Sequence, residues 1–296
     1  MNGRRRLAAL VAALSFALAF GGEAEAGDPW LDRVRAFEPG TSAGFGADSL
    51  PGIVLGPPEG LGLQQGSVDV VSLGNGGRIV VSFDDNAVVD GPGDDLVIFE
   101  NAFYGGPLLF EELAFVEVSA DGRHWAEFPW DPTTHEGLAG RAPVLANSTN
   151  GMDPLDPASG GDRFDLADVG LDYVRFVRLT DAGSLVDDPG NYSFAGTKGG
   201  FDLDAAGAIH SVELACIAGS VTKGADPVGG ARVVLVADGQ RNRRRISHAN
   251  GFFRFCRLKP GVDYEVRTSV AGTGAATGRA YVDEQQLRMR VDLALQ

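Results

Sequence analysis

Apolar and polar residues alternate in short runs along most of the chain, and glycine, proline, asparagine and aspartate fill the gaps between the runs. Residues 115–119 alternate apolar with polar, Ala120-Asp121-Gly122-Arg123 supplies turn residues, and residues 124–128 resume the run, which predicts a β-hairpin. Two β-branched runs, residues 68–73 and 78–83, flank Gly74-Asn75-Gly76-Gly77 and predict another hairpin, since Gly and Asn accept the positive φ of tight turns. Further strands are expected at residues 96–99, 173–179 and 208–214. Helical spacing occurs at residues 30–37, where Leu31, Val34 and Phe37 recur every third position. About eight strands with one buried face predict an all-β unit, a jelly-roll β-sandwich, over residues 27–216. A second set of strand patterns follows over residues 217–296.

Composition agrees with a turn-rich globular chain. Of 296 residues, 42 are glycine and 15 proline, while 44% are hydrophobic, too many for disorder. Arg4, Arg5 and Arg6 precede an apolar run at residues 7–20, and Ala24-Glu25-Ala26 offers small residues to a signal peptidase, so residues 1–26 are expected to be a cleavable signal peptide. The apolar run would span only about 21 Å as a helix, short of a bilayer core of ~30 Å. The mature protein is therefore expected to be secreted, at the cell surface or in the periplasm, with no membrane span after cleavage. Charge divides the chain as the strand patterns do. Residues 27–216 carry 9 Lys/Arg and 31 Asp/Glu, 9 − 31 = −22, and residues 217–296 carry 13 and 7, 13 − 7 = +6. The acidic unit would repel nucleic acid. In the basic unit, Arg241, Arg243, Arg244 and Arg245 form either a contact for phosphate-bearing or carboxylated polymers or a solvated hairpin tip.

Two stretches resemble known families. Val116-Glu117-Val118-Ser119-Ala120-Asp121-Gly122-Arg123-His124-Trp125, followed by Tyr173-Val174-Arg175-Phe176-Val177-Arg178-Leu179 and Ala208-Ile209-His210-Ser211-Val212-Glu213-Leu214, resembles discoidin-type (F5/8 type C) domains of the galactose-binding-like fold. Asp94-Asp95-Leu96-Val97-Ile98-Phe99-Glu100-Asn101-Ala102-Phe103 and Gly200-Phe201-Asp202-Leu203-Asp204-Ala205 resemble bacterial cell-surface proteins of that fold. The likeness spans about residues 45–216 and implies an extracellular binding setting rather than an activity. Pro227-Val228-Gly229-Gly230-Ala231, Asn250-Gly251-Phe252-Phe253 and Leu258-Lys259-Pro260-Gly261 resemble the carboxypeptidase regulatory-like, transthyretin-like seven-stranded sandwich over residues 217–296, a family whose role is usually accessory.

The candidate chemistry is sparse. Four histidines and two cysteines are too few or wrongly spaced for zinc ribbons, iron–sulfur clusters or haem attachment. His135-Glu136 lacks the second histidine of a zincin, and neither a nucleophile elbow nor a phosphate-cradling loop is present in the sequence. Cys216 and Cys256 are expected to pair in an exported chain, the alternative being two buried thiols. Asp90, Asp94, Asp95 or Glu100 are expected to meet Asp202 or Asp204 in a sandwich-type calcium site, since calcium takes six to eight oxygen ligands; otherwise these acids are turn residues on a solvated face. Phe103, Tyr104, Trp130 and Tyr192 are the candidate ligand contacts, because sugar rings stack on aromatic faces, with loop packing as the alternative. Together these features predict a non-catalytic binding or adhesion protein whose partner is an extracellular glycan or surface polymer. The alternatives are a structural module bound to another envelope protein and a glycan-active hydrolase.

Overall fold

The computed structural model describes residues 27–183 and 199–296. The expected leader and Tyr192 lie outside the described residues. The chain is all-β, as its alternation predicts, with mainly antiparallel sheets, Ala215–Lys223 also pairing in parallel with Arg288–Arg290 and Leu293–Ala294, and short 3-10 turns as its helical elements among the described residues.

The N-terminal part is built on a five-stranded sheet in the order Arg33–Glu38, Arg78–Ser82, Phe176–Asp181, Ala114–Ser119, Ala126–Glu127. Against it lie Asp162–Phe164, Leu96–Phe99 and Ala205–Ala208 in one group, Tyr173–Val174, Asn86–Val89 and Ser211–Glu213 in another, and the pair Val71–Ser72 with Asp202–Leu203. Ile79, Val81, Val116, Val118, Val177 and Leu179 from the first sheet meet Leu96, Ile98, Phe201 and Leu203 from the others in one core. A second core, from Ala215 to Leu295, packs Ala215–Lys223 and Phe252–Leu258 against the four-stranded sheet Arg243–Ile246, Arg232–Val236, Val262–Val270, Gly274–Val282. Cys216 and Cys256 sit opposite one another in the register of the first two strands and are joined by a disulfide. Gly251 takes φ 77°, and a Cβ there would approach the Val221 carbonyl oxygen to 2.5 Å, so the turn into Phe252–Leu258 requires glycine.

Several local expectations change. The hairpin at residues 115–128 forms, held by Ser119 and Asp121: the Ser119 hydroxyl accepts from Gly122 N (2.9 Å), and Asp121 accepts from Arg123 N (2.8 Å) and His124 N (3.0 Å). Residues 68–83 do not form a hairpin. Val71–Ser72 pairs with Asp202–Leu203, the Leu73 carbonyl accepts from Gly40 N (2.8 Å), and Arg78–Ser82 joins the other sheet, so the glycine turn carries the chain between layers. Residues 30–37 are not helical. Arg33–Glu38 is a strand with a register shift between Val34 and Ala36, and the extra residue turns Val34 and Phe37 to the same side. The run at residues 173–179 breaks at Arg175, whose side chain is buried and donates to the Phe83 carbonyl at 3.1 Å. Arg243–Ile246 is an edge strand rather than a hairpin tip, and its charges protect an open edge.

Candidate cation site

Leu96–Phe99 is a wholly buried strand, so the residue that follows it, Glu100, emerges still inside the protein and is 2% exposed. Antiparallel pairing of Phe99 with Ala205 draws the Asp202–Asp204 stretch alongside, with Asp204 N donating to the Phe99 carbonyl (3.0 Å). Register then sets Asp202 opposite Ser72, whose hydroxyl donates to the Asp202 carboxylate, while Asn101 Nδ2 donates to the other Asp202 oxygen at 3.3 Å. The hairpin Phe103–Gly105/Leu108–Phe110 returns the chain to Glu112, whose Oε1 accepts from Gly200 N at 2.8 Å. Ligand oxygens of Glu100, Glu112 and Asp202 thereby lie within 4.8 Å of one another.

Glu100 Oε2 is buried and has no hydrogen-bond partner among the described residues, and the same holds for Asn101 Oδ1 beside it. Gly66 leaves room for that amide, since a Cβ at Gly66 would stand 2.5 Å from Asn101 Oδ1. Burial, then the charges of Asp202 and Glu112, push the Glu100 carboxyl well above the usual carboxylate range. Burial lifts Asp202 to about 6, and burial with the nearby Asp69 and Glu59 lifts Asp204 to about 8. Two oxygens bound to one calcium ion at about 2.4 Å are at most ~4.8 Å apart, so the carboxylate spacing suits a single hard cation, and an all-oxygen set suits calcium rather than a thiophilic metal.

The other acids are already satisfied or exposed. Asp95 accepts from Gly91 N (2.7 Å), Leu166 N (2.8 Å) and His210 Nδ1 (2.8 Å), which accounts for its burial without an ion. Asp90 gathers with Asp95 and Asp165 rather than with Asp202 or Asp204, and Asp94 is exposed. Asp204 accepts from Glu59 N (3.1 Å). Of the expected metal residues, the structure thus brings together Glu100 and Asp202. Glu112 is a member the sequence reading missed; its signal was an acidic pair, Glu111-Glu112, directly after an aromatic hairpin.

The aromatic candidates separate too. Tyr104 is 38% exposed, and its N–H donates to the Leu63 carbonyl at 2.7 Å, placing it beside exposed Leu61 and Leu63. Phe103 stacks on Phe110 with centroids 5.1 Å apart, which stiffens the hairpin. Trp130 packs on Phe115 (5.2 Å) and against Leu113, Leu138 and Ala182, a packing role.

The raised carboxyls set a pH dependence. A group with a folded pKa above its unfolded value stabilises the fold below the unfolded pKa and loses that contribution as pH rises through the folded pKa. Asp204 at about 8, with Asp202 and Asp162 at about 6, places the loss between pH 4 and 8, whereas Asp121, lowered to about 2 mainly by the His124 and Arg123 donors against its burial, changes nothing in that window. In chelator, the melting temperature is expected to fall as pH rises from 5.5 to 8; a thermal melt series that rises instead would contradict these environments.

No family model matches the chain, and no curated protein does. Among solved structures, it aligns with the group B streptococcus pilus 2b backbone protein at a TM-score of 0.28 and 9% identity, covering 81% of this chain and 97% of that one. It aligns with BcpA, the major pilin subunit of Bacillus cereus, at 0.24 and 11% (74% and 64% covered), and with the Bacillus anthracis TIE protein at 0.25 and 10% (80% and 57%). These values are too low to define a shared fold or role.

Proposed function

We propose that the chain is an exported, non-catalytic binding protein of the cell surface, in which a calcium ion held by Glu100, Glu112 and Asp202 fixes the hairpin that presents Tyr104 to an extracellular glycan or surface polymer. The observation that carries this reading is the position of the acids: Glu100 stands just before Phe103–Gly105 and Glu112 just after Leu108–Phe110, so one ion between them clamps the base of the hairpin. The burial of Glu100 and Asp202 supports a binding role over hydrolysis, because carboxylates 2% and 8% exposed offer no surface to a substrate. The resemblance to discoidin-like domains, with a carboxypeptidase regulatory-like unit as accessory, agrees with loop-end recognition.

A second reading, docking within an envelope assembly, is favoured by the aliphatic part of the same rim, where Leu108 is 68% exposed and Leu61 and Leu63 about half. Pull-down on neutral and acidic polysaccharides in calcium and in chelator separates the two. Calcium-dependent retention that falls at least tenfold in Tyr104→Ala is expected. Failure to bind any polymer, together with a protein partner that co-purifies through the Leu61–Leu63–Leu108 rim, would establish the second reading instead.

A further inference from the structure

The acidic unit conceals a concentration of positive charge where it meets the basic one. Asp84, its side chain 10% exposed, pairs with four guanidiniums: Arg33 (3.0 Å), Arg35, Arg175 (3.3 Å) and, from the other unit, Arg257 (2.6 Å). Beside this hub is a cleft of about 340 Å³, lined by Arg35, Arg123 and Arg175 from the N-terminal unit and by Arg243 and Arg257 from the C-terminal one, with Phe176 as an aromatic wall. Arg35 and Arg175 stand 5.7 and 5.4 Å from the Phe176 ring centroid. One carboxylate, Asp121, lines the cleft, and its oxygens are occupied by Arg123 N, His124 N and His124 Nδ1 in its own turn. Counting Arg33 and Asp84 with the lining groups leaves 6 − 2 = +4 on a unit pair whose larger member carries −22.

Arg243 has no carboxylate partner among the described residues, and its Nη1 donates to the Arg257 carbonyl at 3.1 Å. Burial holds Arg175 and Arg243 below the ordinary arginine pKa; at Arg175 Tyr173 and Asp84 offset part of this, and at Arg243 the neighbouring Arg245 and Arg175 add to it. Five arginines line this one cavity, three of them paired with Asp84, and guanidinium groups are suited to binding tetrahedral oxyanions.

We propose that this cleft between the two sandwiches binds a phosphate- or sulfate-type oxyanion carried on a ligand whose apolar or ring portion rests on Phe176. The site takes guanidiniums from both units, so the ligand also locks their relative position. It is independent of the cation site, and of the arginine stretch that begins at Arg241 it uses Arg243.

The test is a thermal melt and calorimetric titration of the full mature chain in chelator, with inorganic phosphate, inorganic sulfate, acetate or chloride at equal ionic strength. Saturable stabilisation by phosphate or sulfate beyond acetate and chloride is expected, weakened at least tenfold in Arg243→Gln and about threefold in Arg123→Gln at the exposed rim. A stronger response to one anion identifies the ester class. Should Arg243→Gln melt early in chloride, Arg123→Gln decides. Equal effects of all four anions, or the same affinity in the wild type and the correctly folded variant, would overturn the proposal.

Discussion

Replacing Cys216 and Cys256 together by serine is expected to destabilise the C-terminal sandwich by about 4 kcal/mol. The disulfide closes a loop of 40 positions, and in the chain-entropy model a cross-link of that span removes about 4 kcal/mol of conformational freedom from the unfolded chain. The two cysteines are cross-strand partners between Ala215–Lys223 and Phe252–Leu258, the strands that supply Ile217, Phe253 and Phe255 to the core. Loosening them therefore acts on the centre of the unit. For a unit of this size about 4 kcal/mol corresponds to a fall in melting temperature of roughly 15–30 °C, readable by calorimetry of the full chain. Transitions that coincide in the double variant and the wild type would show that the strands need no staple.

Asp84→Ala is expected to cost about 3 kcal/mol, because it strips the shared carboxylate from several guanidiniums at once and leaves the buried Arg175 uncompensated. Arg175 retains its bond to the Phe83 carbonyl, which satisfies hydrogen bonding but not charge. The link between units weakens as well, since Arg257 loses its partner and the remaining contacts include the Lys259–Asp172 ion pair (2.8 Å). A calorimetric scan should show the N-terminal transition falling by roughly 6–12 °C. A change below 1 °C would mean that solvent already screens the hub.

How much of this was legible depends on sequence distance. The hairpin at residues 115–128 was readable because Ser119, Asp121 and Gly122 build its turn locally. The spacing of Leu31, Val34 and Phe37 misled because a bulged strand and a helix both return a side chain to the same side after three residues. Residues 68–83 failed for the opposite reason: the turn chemistry was present, but Val71–Ser72 has its partner at Asp202–Leu203, far along the chain. Glu100 and Asp202 could be named as candidates from their loops, and the structure brings them together, whereas Glu112 joins them because the intervening hairpin folds back. The arginine hub was illegible, since Arg33, Arg35, Arg175 and Arg257 share no local pattern and meet only when both units are in place.

The central claim is that Glu100, Glu112 and Asp202 form a calcium site, and thermal melts of the chain at pH 7.5 in calcium, magnesium and chelator at equal ionic strength test it most directly. A ligand that binds only the folded state adds about 2.7 kcal/mol at a hundredfold excess over Kd, so calcium is predicted to raise the N-terminal transition by roughly 5–10 °C. Magnesium, which demands tight octahedral geometry, should give a smaller rise, and Glu100→Gln should abolish the calcium-specific part while melting higher than the wild type in chelator, because it removes a buried carboxylate lacking a counter-ion. Identical melting in calcium, magnesium and chelator, or an undiminished calcium shift in Glu100→Gln, would contradict the account.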